Sequence, residues 1–153
     1  MKKPDIGLLS QQAQMIISAI DSESILVYLF IKDKFKEPQG PSDPLFQFVY
    51  RSFYRLDNAG LSTEFKDEYF RLLGRCRNCD NIDLLDLTKE FYRYPNIKGQ
   101  PSLQFSFVTK LANTVNDEYP IYDAEIARVF NFKPPYSHKA FDYRLSVLTN
   151  FYE

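Results

Sequence analysis

A strong charge of either sign is absent from this 153-residue chain: 19 lysines and arginines stand against 20 aspartates and glutamates, a formal charge of −1. That excludes a histone-like binder that coats any nucleic acid, because such binding rests on neutralising phosphates over a broad surface. It leaves room for a local basic groove, since the field that matters is the one at the site. Histidine and cysteine are scarce too. The one histidine, His138, lies far along the chain from the only cysteines, which form Cys76-Arg77-Asn78-Cys79. A zinc site needs two further ligands, so the pair is at most half of one. A thioredoxin-like pair would follow a strand, whereas these residues follow a helix ending near Gly74. They read as structural or surface thiols, and no metal or other cofactor is expected. Reduced cysteines without a leader-like segment fit the cytoplasm. Long apolar runs are also lacking. The longest, Ile25 to Ile31, falls short of the roughly 20 helical residues that span a bilayer. It reads as a buried helix, and no membrane association is expected.

What is present is enough for one domain over residues 1–153: a length that buries a core without disulfides, with 14 phenylalanines and 11 tyrosines to fill it. Helix signals recur and strand signals are almost missing. Ser10 is positioned to cap a helix through Ile16, Ile17 and Ile20. Asp21-Ser22-Glu23-Ser24 breaks it or starts a second helix to about Phe35. Glu37 to Ser42 is a loop. Asp43-Pro44 places an N-cap before a proline at the first helical position, predicting a helix that stops at Asn58-Ala59-Gly60. Ser62 or Thr63 caps the next, and Asp83 opens another that Pro95 ends. Further helices are expected from about Ser102 to Thr114, Ala124 to Phe130 and Ser137 to Phe151. The fold class is all-α, seven or eight short helices around one core.

An aromatic pair followed by arginine occurs three times: Phe53-Tyr54-Arg55, Tyr69-Phe70-Arg71 and Phe91-Tyr92-Arg93. Each is expected near a helix end. One reading puts one aromatic in the core and the arginine in water, near the negative end of the helix dipole. The other has aromatics stack on bases while arginines hold phosphates.

The most informative stretch is Tyr94-Pro95-Asn96-Ile97-Lys98-Gly99-Gln100-Pro101, a helix through Phe105, Val108 and Leu111, then Tyr119-Pro120-Ile121-Tyr122-Asp123-Ala124-Glu125-Ile126-Ala127-Arg128. It resembles the second half of the helix-hairpin-helix DNA glycosylases of the 8-oxoguanine glycosylase type. In that superfamily a glycine-bearing hairpin grips a DNA phosphate. A proline, a hydrophobic residue and an aspartate then open a helix that carries an arginine one turn later, as Pro120, Ile121, Asp123 and Arg128 do here. The resemblance implies base excision on a flipped nucleotide in duplex DNA, with Asp123 stabilising positive charge on the sugar as the base departs. It implies DNA contacts by Arg93, Lys98, Gly99, Gln100 and Arg128. The family pattern has two glycines in the turn and a nucleophilic lysine two residues after the second. Here Gly99 stands alone, Pro101 holds the lysine's place, and the spacing to Asp123 is about one helical turn longer. Lys110 and Lys98 are the remaining candidates for an amine nucleophile. Independently of the family, Asp123 is a good N-cap for the helix after it. Backbone N–H groups near Gly99 at a helix start would suit a phosphate, while Asp117, Glu118, Asp123 and Glu125 form an acidic patch. Two other functions fit the same residues: a catalytically silent relative, or a helical adaptor whose aromatics meet a protein partner.

Overall fold

The computed structural model describes residues 6–153, with all their side chains except those of Ile6, Leu8, Leu9, Gln12 and Ile16. Eight α-helices follow one another: α1 (Ile6–Ala19), α2 (Ser22–Lys36), α3 (Pro44–Phe53), α4 (Thr63–Cys76), α5 (Leu84–Tyr92), α6 (Phe105–Val115), α7 (Ala124–Val129) and α8 (Phe141–Tyr152). Among the described residues the only strand-like pairing is one bridge between Leu61 and Asn96. No single helix there is long and apolar enough to cross a membrane.

Side-chain caps set most of the helix starts. Asp43 accepts from the N–H groups of Leu45 and Phe46 at 2.8 and 3.0 Å, Ser62 from Phe65 at 3.2 Å, Asp83 from Asp86 at 2.9 Å and Asp21 from Glu23 at 3.3 Å. Each supplies an acceptor to a donor that the helix itself leaves unpaired.

Five boundaries differ from the sequence reading, one being the start of the last helix, expected at Ser137 and found at Phe141. Ser10 is no cap, because residues 6–9 before it are already helical; the expected place of Ile16 in that helix's apolar face lies outside the described side chains. The helix expected to run to Asn58 ends at Phe53: Arg55 adopts a left-handed backbone, φ 60°, and a 3-10 turn (Leu56–Asn58) follows. Gly74 does not stop α4, which reaches Cys76, so Tyr69-Phe70-Arg71 lies mid-helix. Finally, α6 begins three residues late because the Ser102 hydroxyl accepts from the Gln104 side chain at 2.7 Å instead of capping. The run from Ile25 to Ile31, expected to be buried, is so on only one side of α2: Ile31 is buried with Phe35, while Ile25, Leu26, Leu29 and Phe30 are exposed.

The core is aromatic. Phe46, Tyr50, Phe65, Tyr69, Phe91 and Val108 are fully buried and pack α3, α4, α5 and α6 together. A second cluster joins Phe105, Tyr122, Ala127, Leu145 and Leu148, and Leu84 packs against both. Burying tyrosines this deeply requires partners for their hydroxyls. Tyr69 donates to the carbonyl of Phe107 at 2.9 Å, and Thr114 to that of Lys110 at 2.8 Å. The Tyr50 hydroxyl lies between them, 2.9 Å from Tyr69 and 3.1 Å from Thr114. This chain ties α3 and α4 to α6 on the turns that bracket Lys110.

The loop before α3 owes its shape to close packing. A Cβ at Gly40 would stand 2.1 Å from the Lys34 carbonyl oxygen, so only glycine fits where the 3-10 turn (Gly40–Ser42) presses on the end of α2.

Candidate active site

Two polar residues one turn apart on α6, Thr109 and Asn113, hold the extended segment that leads to α7. The Tyr122 N–H donates to Thr109 Oγ1 at 3.0 Å, and Thr109 in turn donates to the Ser106 carbonyl at 3.0 Å. Asn113 Nδ2 donates to the Tyr119 carbonyl at 2.9 Å. From α8, the Tyr152 hydroxyl donates to the Pro120 carbonyl at 2.8 Å. Two elements thus fix residues 119–122: α6 through Thr109 and Asn113, and α8 through Tyr152. Asp123 follows at once, and its carboxylate caps α7 by accepting from Ile126 N–H at 2.9 Å.

Lys110 is half-buried. Its Nζ stands over two aromatic faces, 4.9 Å from the Phe107 ring centre and 5.9 Å from that of Tyr54, which suits a cation electrostatically. Burial nevertheless dominates and pulls its pKa below the ordinary lysine value; the Asp123 carboxylate opposes the shift and the Arg55 guanidinium adds to it. The neutral amine, the form with a lone pair to donate, is therefore more accessible here than on a surface lysine. Tyr54 beside it is itself buried, and its hydroxyl has no hydrogen-bond partner among the described residues. Burial pushes that phenol up to about 12.

The other residues singled out by sequence are arranged differently. In the hairpin, Asn96 takes the backbone donors for itself. Its side-chain oxygen accepts from Lys98 N–H at 2.9 Å and Gln100 N–H at 3.1 Å, and its carbonyl accepts from Gly99 N–H at 2.9 Å. Ile97 N–H is bonded to the Gly60 carbonyl at 3.0 Å. With α6 starting only at Phe105, Gly99 is not at a helix start, and these amides do not face a ligand. Gly99 takes φ 73°, a turn conformation that favours glycine. The side chains of Lys98 and Gln100 are exposed.

Arg93 pairs with Glu90 at 2.9 Å, and Arg128 pairs with Glu125 in its own helix. The acidic patch separates as well: Asp117 turns to α2, where Lys32 Nζ lies 2.5 Å away and Tyr28 donates to it at 3.1 Å. Of the three aromatic–arginine triplets, Arg71 and Arg93 are paired with the glutamate three residues earlier. Arg55 has no such partner, and its charge reaches Lys110. Cys76 is half-buried, with its thiol raised to about 11 by burial and by Cys79, while Cys79 is exposed. No group of three or more metal-ligating side chains gathers among the described residues.

Sequence reasoning named Lys110 and Asp123, and named Tyr54 and Arg55 within an aromatic–arginine triplet without linking them to Lys110, but missed Thr109 and Asn113. Thr109 and Asn113 did leave a signal. Two hydrogen-bonding side chains four residues apart on an otherwise apolar helix need partners once that helix is buried.

No protein-family model, curated protein or solved structure matches the chain.

Proposed function

We propose that this protein binds duplex DNA and excises a base from a flipped nucleotide, with Lys110 as the amine nucleophile and Asp123 as the carboxylate that supports positive charge on the sugar. The glycosylase-like subclass of the all-helical fold belongs to this proposal. The observation that carries it is the half-buried setting of Lys110 over the Phe107 and Tyr54 rings, where burial makes its amine easier to deprotonate, with the charge of Asp123, a carboxylate held by a helix start, reaching it without forming an ion pair. Lys110 thereby takes the role that the family assigns to a lysine nearer the hairpin. The neutral Nζ attacks the sugar carbon as the bond to the base breaks, and the base leaves with the bonding electron pair. Arg55, exposed and unpaired with any carboxylate among the described residues, would hold a phosphate next to the flipped nucleotide.

The test is base release from a panel of damaged duplexes. Asp123→Asn keeps the cap, because an amide oxygen accepts the same N–H, but removes the negative charge. Release should fall by about 10²–10³-fold with the melting temperature nearly unchanged. Asp123→Ala should lose release and in addition about 0.5–2 kcal/mol of stability. A wild type that binds duplex DNA yet releases no base from any lesion would leave Asp123 as a cap only, and the protein as a silent relative.

A further inference from the structure

The pair in Cys76-Arg77-Asn78-Cys79 plays no part in the proposed chemistry, yet the fold brings its thiols together. Cys76 is the last residue of α4 and packs, half-buried, against the main core cluster. The chain turns at that point, with the Cys79 N–H donating to the Cys76 carbonyl at 3.0 Å. A turn closed in this way holds its first and last Cα atoms within about 7 Å, a separation that a disulfide can bridge. The side chains converge as well. The Cys79 thiol folds back along α4 and donates to the Arg75 carbonyl at 3.7 Å, next to Cys76. Burial, and then the charge and hydrogen bonding of Cys79 itself, raise the Cys76 thiol to about 11.

We propose that Cys76 and Cys79 form a reversible dithiol site, which a low-molecular-weight disulfide oxidises to an intramolecular disulfide. Access sets the order of the steps. Cys79 is exposed, so its thiolate attacks the small disulfide, forms a mixed disulfide and expels one small thiolate. Cys76 is too buried to compete for that first step, but the second exchange takes place within the chain. Cys76 gives its proton to the expelled thiolate, attacks the Cys79 sulfur and displaces the second small thiolate, which takes a proton from water. Two electrons pass from the protein to the small disulfide, which ends as two thiols. The setting favours the closed form. A CxxC pair is strongly oxidising when its thiolate is stabilised; here burial and the negative end of α4 disfavour a Cys76 thiolate, and neither opposes a neutral disulfide. No step involves Lys110.

The test equilibrates the full chain, reduced and then freed of reductant, with mixtures of reduced and oxidised glutathione, followed by acid quenching and mass spectrometry. The product expected is a monomer lighter by about 2 Da, with peptide mapping joining Cys76 to Cys79 and the circular dichroism spectrum unchanged. A second step within the chain acts at millimolar effective concentration or above. Half oxidation should therefore come where the squared reduced concentration divided by the oxidised one is about 1 mM or higher. Cys76→Ser should react as fast as the wild type but stop at a glutathione adduct on Cys79. Cys79→Ser should react at least about tenfold more slowly, because the remaining thiol is buried and rarely ionised. A folded chain that is still reduced at that ratio overturns the proposal. So does a product carrying glutathione on both cysteines, a disulfide-linked dimer, or closure that occurs only after denaturant has unfolded the chain.

Discussion

The hairpin at Asn96–Gln100 and the helix start at Asp123 carry the same family likeness, yet they leave opposite things unsatisfied. In the hairpin every backbone N–H from Ile97 to Gln100 has an acceptor within the chain. At the helix start, a carboxylate that needs only one backbone donor for its cap lies in range of a half-buried ammonium that no ion pair compensates. Binding and chemistry draw on groups whose partners are not already supplied, because a group bonded within the fold has little free energy left to offer a ligand. On the proposed function the Lys110–Asp123 side of the molecule carries the chemistry, while the hairpin amides serve the turn that pairs Asn96 with Leu61.

The substitution that should strain this contrast most is Thr109→Val. It keeps the shape of the side chain but removes the acceptor of the buried Tyr122 N–H. Stability should fall by about 1–3 kcal/mol in a denaturant titration, and base release should fall with it as Asp123 loses its anchor. A variant that is destabilised but releases base at the wild-type rate would show that Asp123 needs no such positioning.

Gly99→Ala should be milder. Nothing stands within 4 Å of the added Cβ, so the cost is only that of an alanine at φ 73°, about 1 kcal/mol. Base release should be unaffected. A loss of release greater than the loss of folded protein would return the hairpin to the site.

Lys98→Ala should have the smallest effect, within about 0.5 kcal/mol in stability. If its exposed ammonium meets a phosphate, the slope of log affinity against log salt should drop by about one unit. An unchanged slope would remove Lys98 from the DNA contacts.

Much of the fold could be read from local chemistry. Asp43, Ser62, Asp83 and Asp123 each start the helix their side chains suggested, because capping involves only neighbours two or three residues away. Boundaries went astray where a distant or competing partner decided: Gln104 engaged Ser102, and Arg55 turned the chain left-handed after α3. The site was half legible for the same reason. Asp123 advertises itself through the proline before it and the helix after it. That Lys110 is the lysine brought near it depends on Thr109 and Asn113 reaching across to residues 119–122, a tertiary contact that no spacing along the chain encodes. The consumed hairpin amides were equally hidden, since Asn96 reads as an ordinary turn residue until its side chain is seen to accept twice.

Burial of Lys110 also has a thermodynamic signature. Its folded pKa lies below the 10.5 of an ordinary lysine, so the unfolded chain holds this proton more tightly than the folded one. The resulting destabilisation is fully present below the folded pKa and is relieved as pH rises towards 10.5. Lys110→Met, which keeps the stem and drops the charge, should therefore melt higher than the wild type at neutral pH, by an amount that shrinks as the pH is raised into that range. A lower melting temperature would mean that the ammonium stabilises the fold.

The most direct measurement is borohydride trapping on a duplex carrying an abasic site. The ring-opened sugar aldehyde condenses with a neutral amine, releasing water, and reduction of the iminium fixes the protein to the DNA. Peptide mapping should place the adduct on Lys110; Lys110→Met should abolish it while melting higher than wild type, and Lys98→Met should leave it intact. An adduct on another amine, or none from a wild type that binds the duplex, would contradict the assignment of Lys110 as nucleophile.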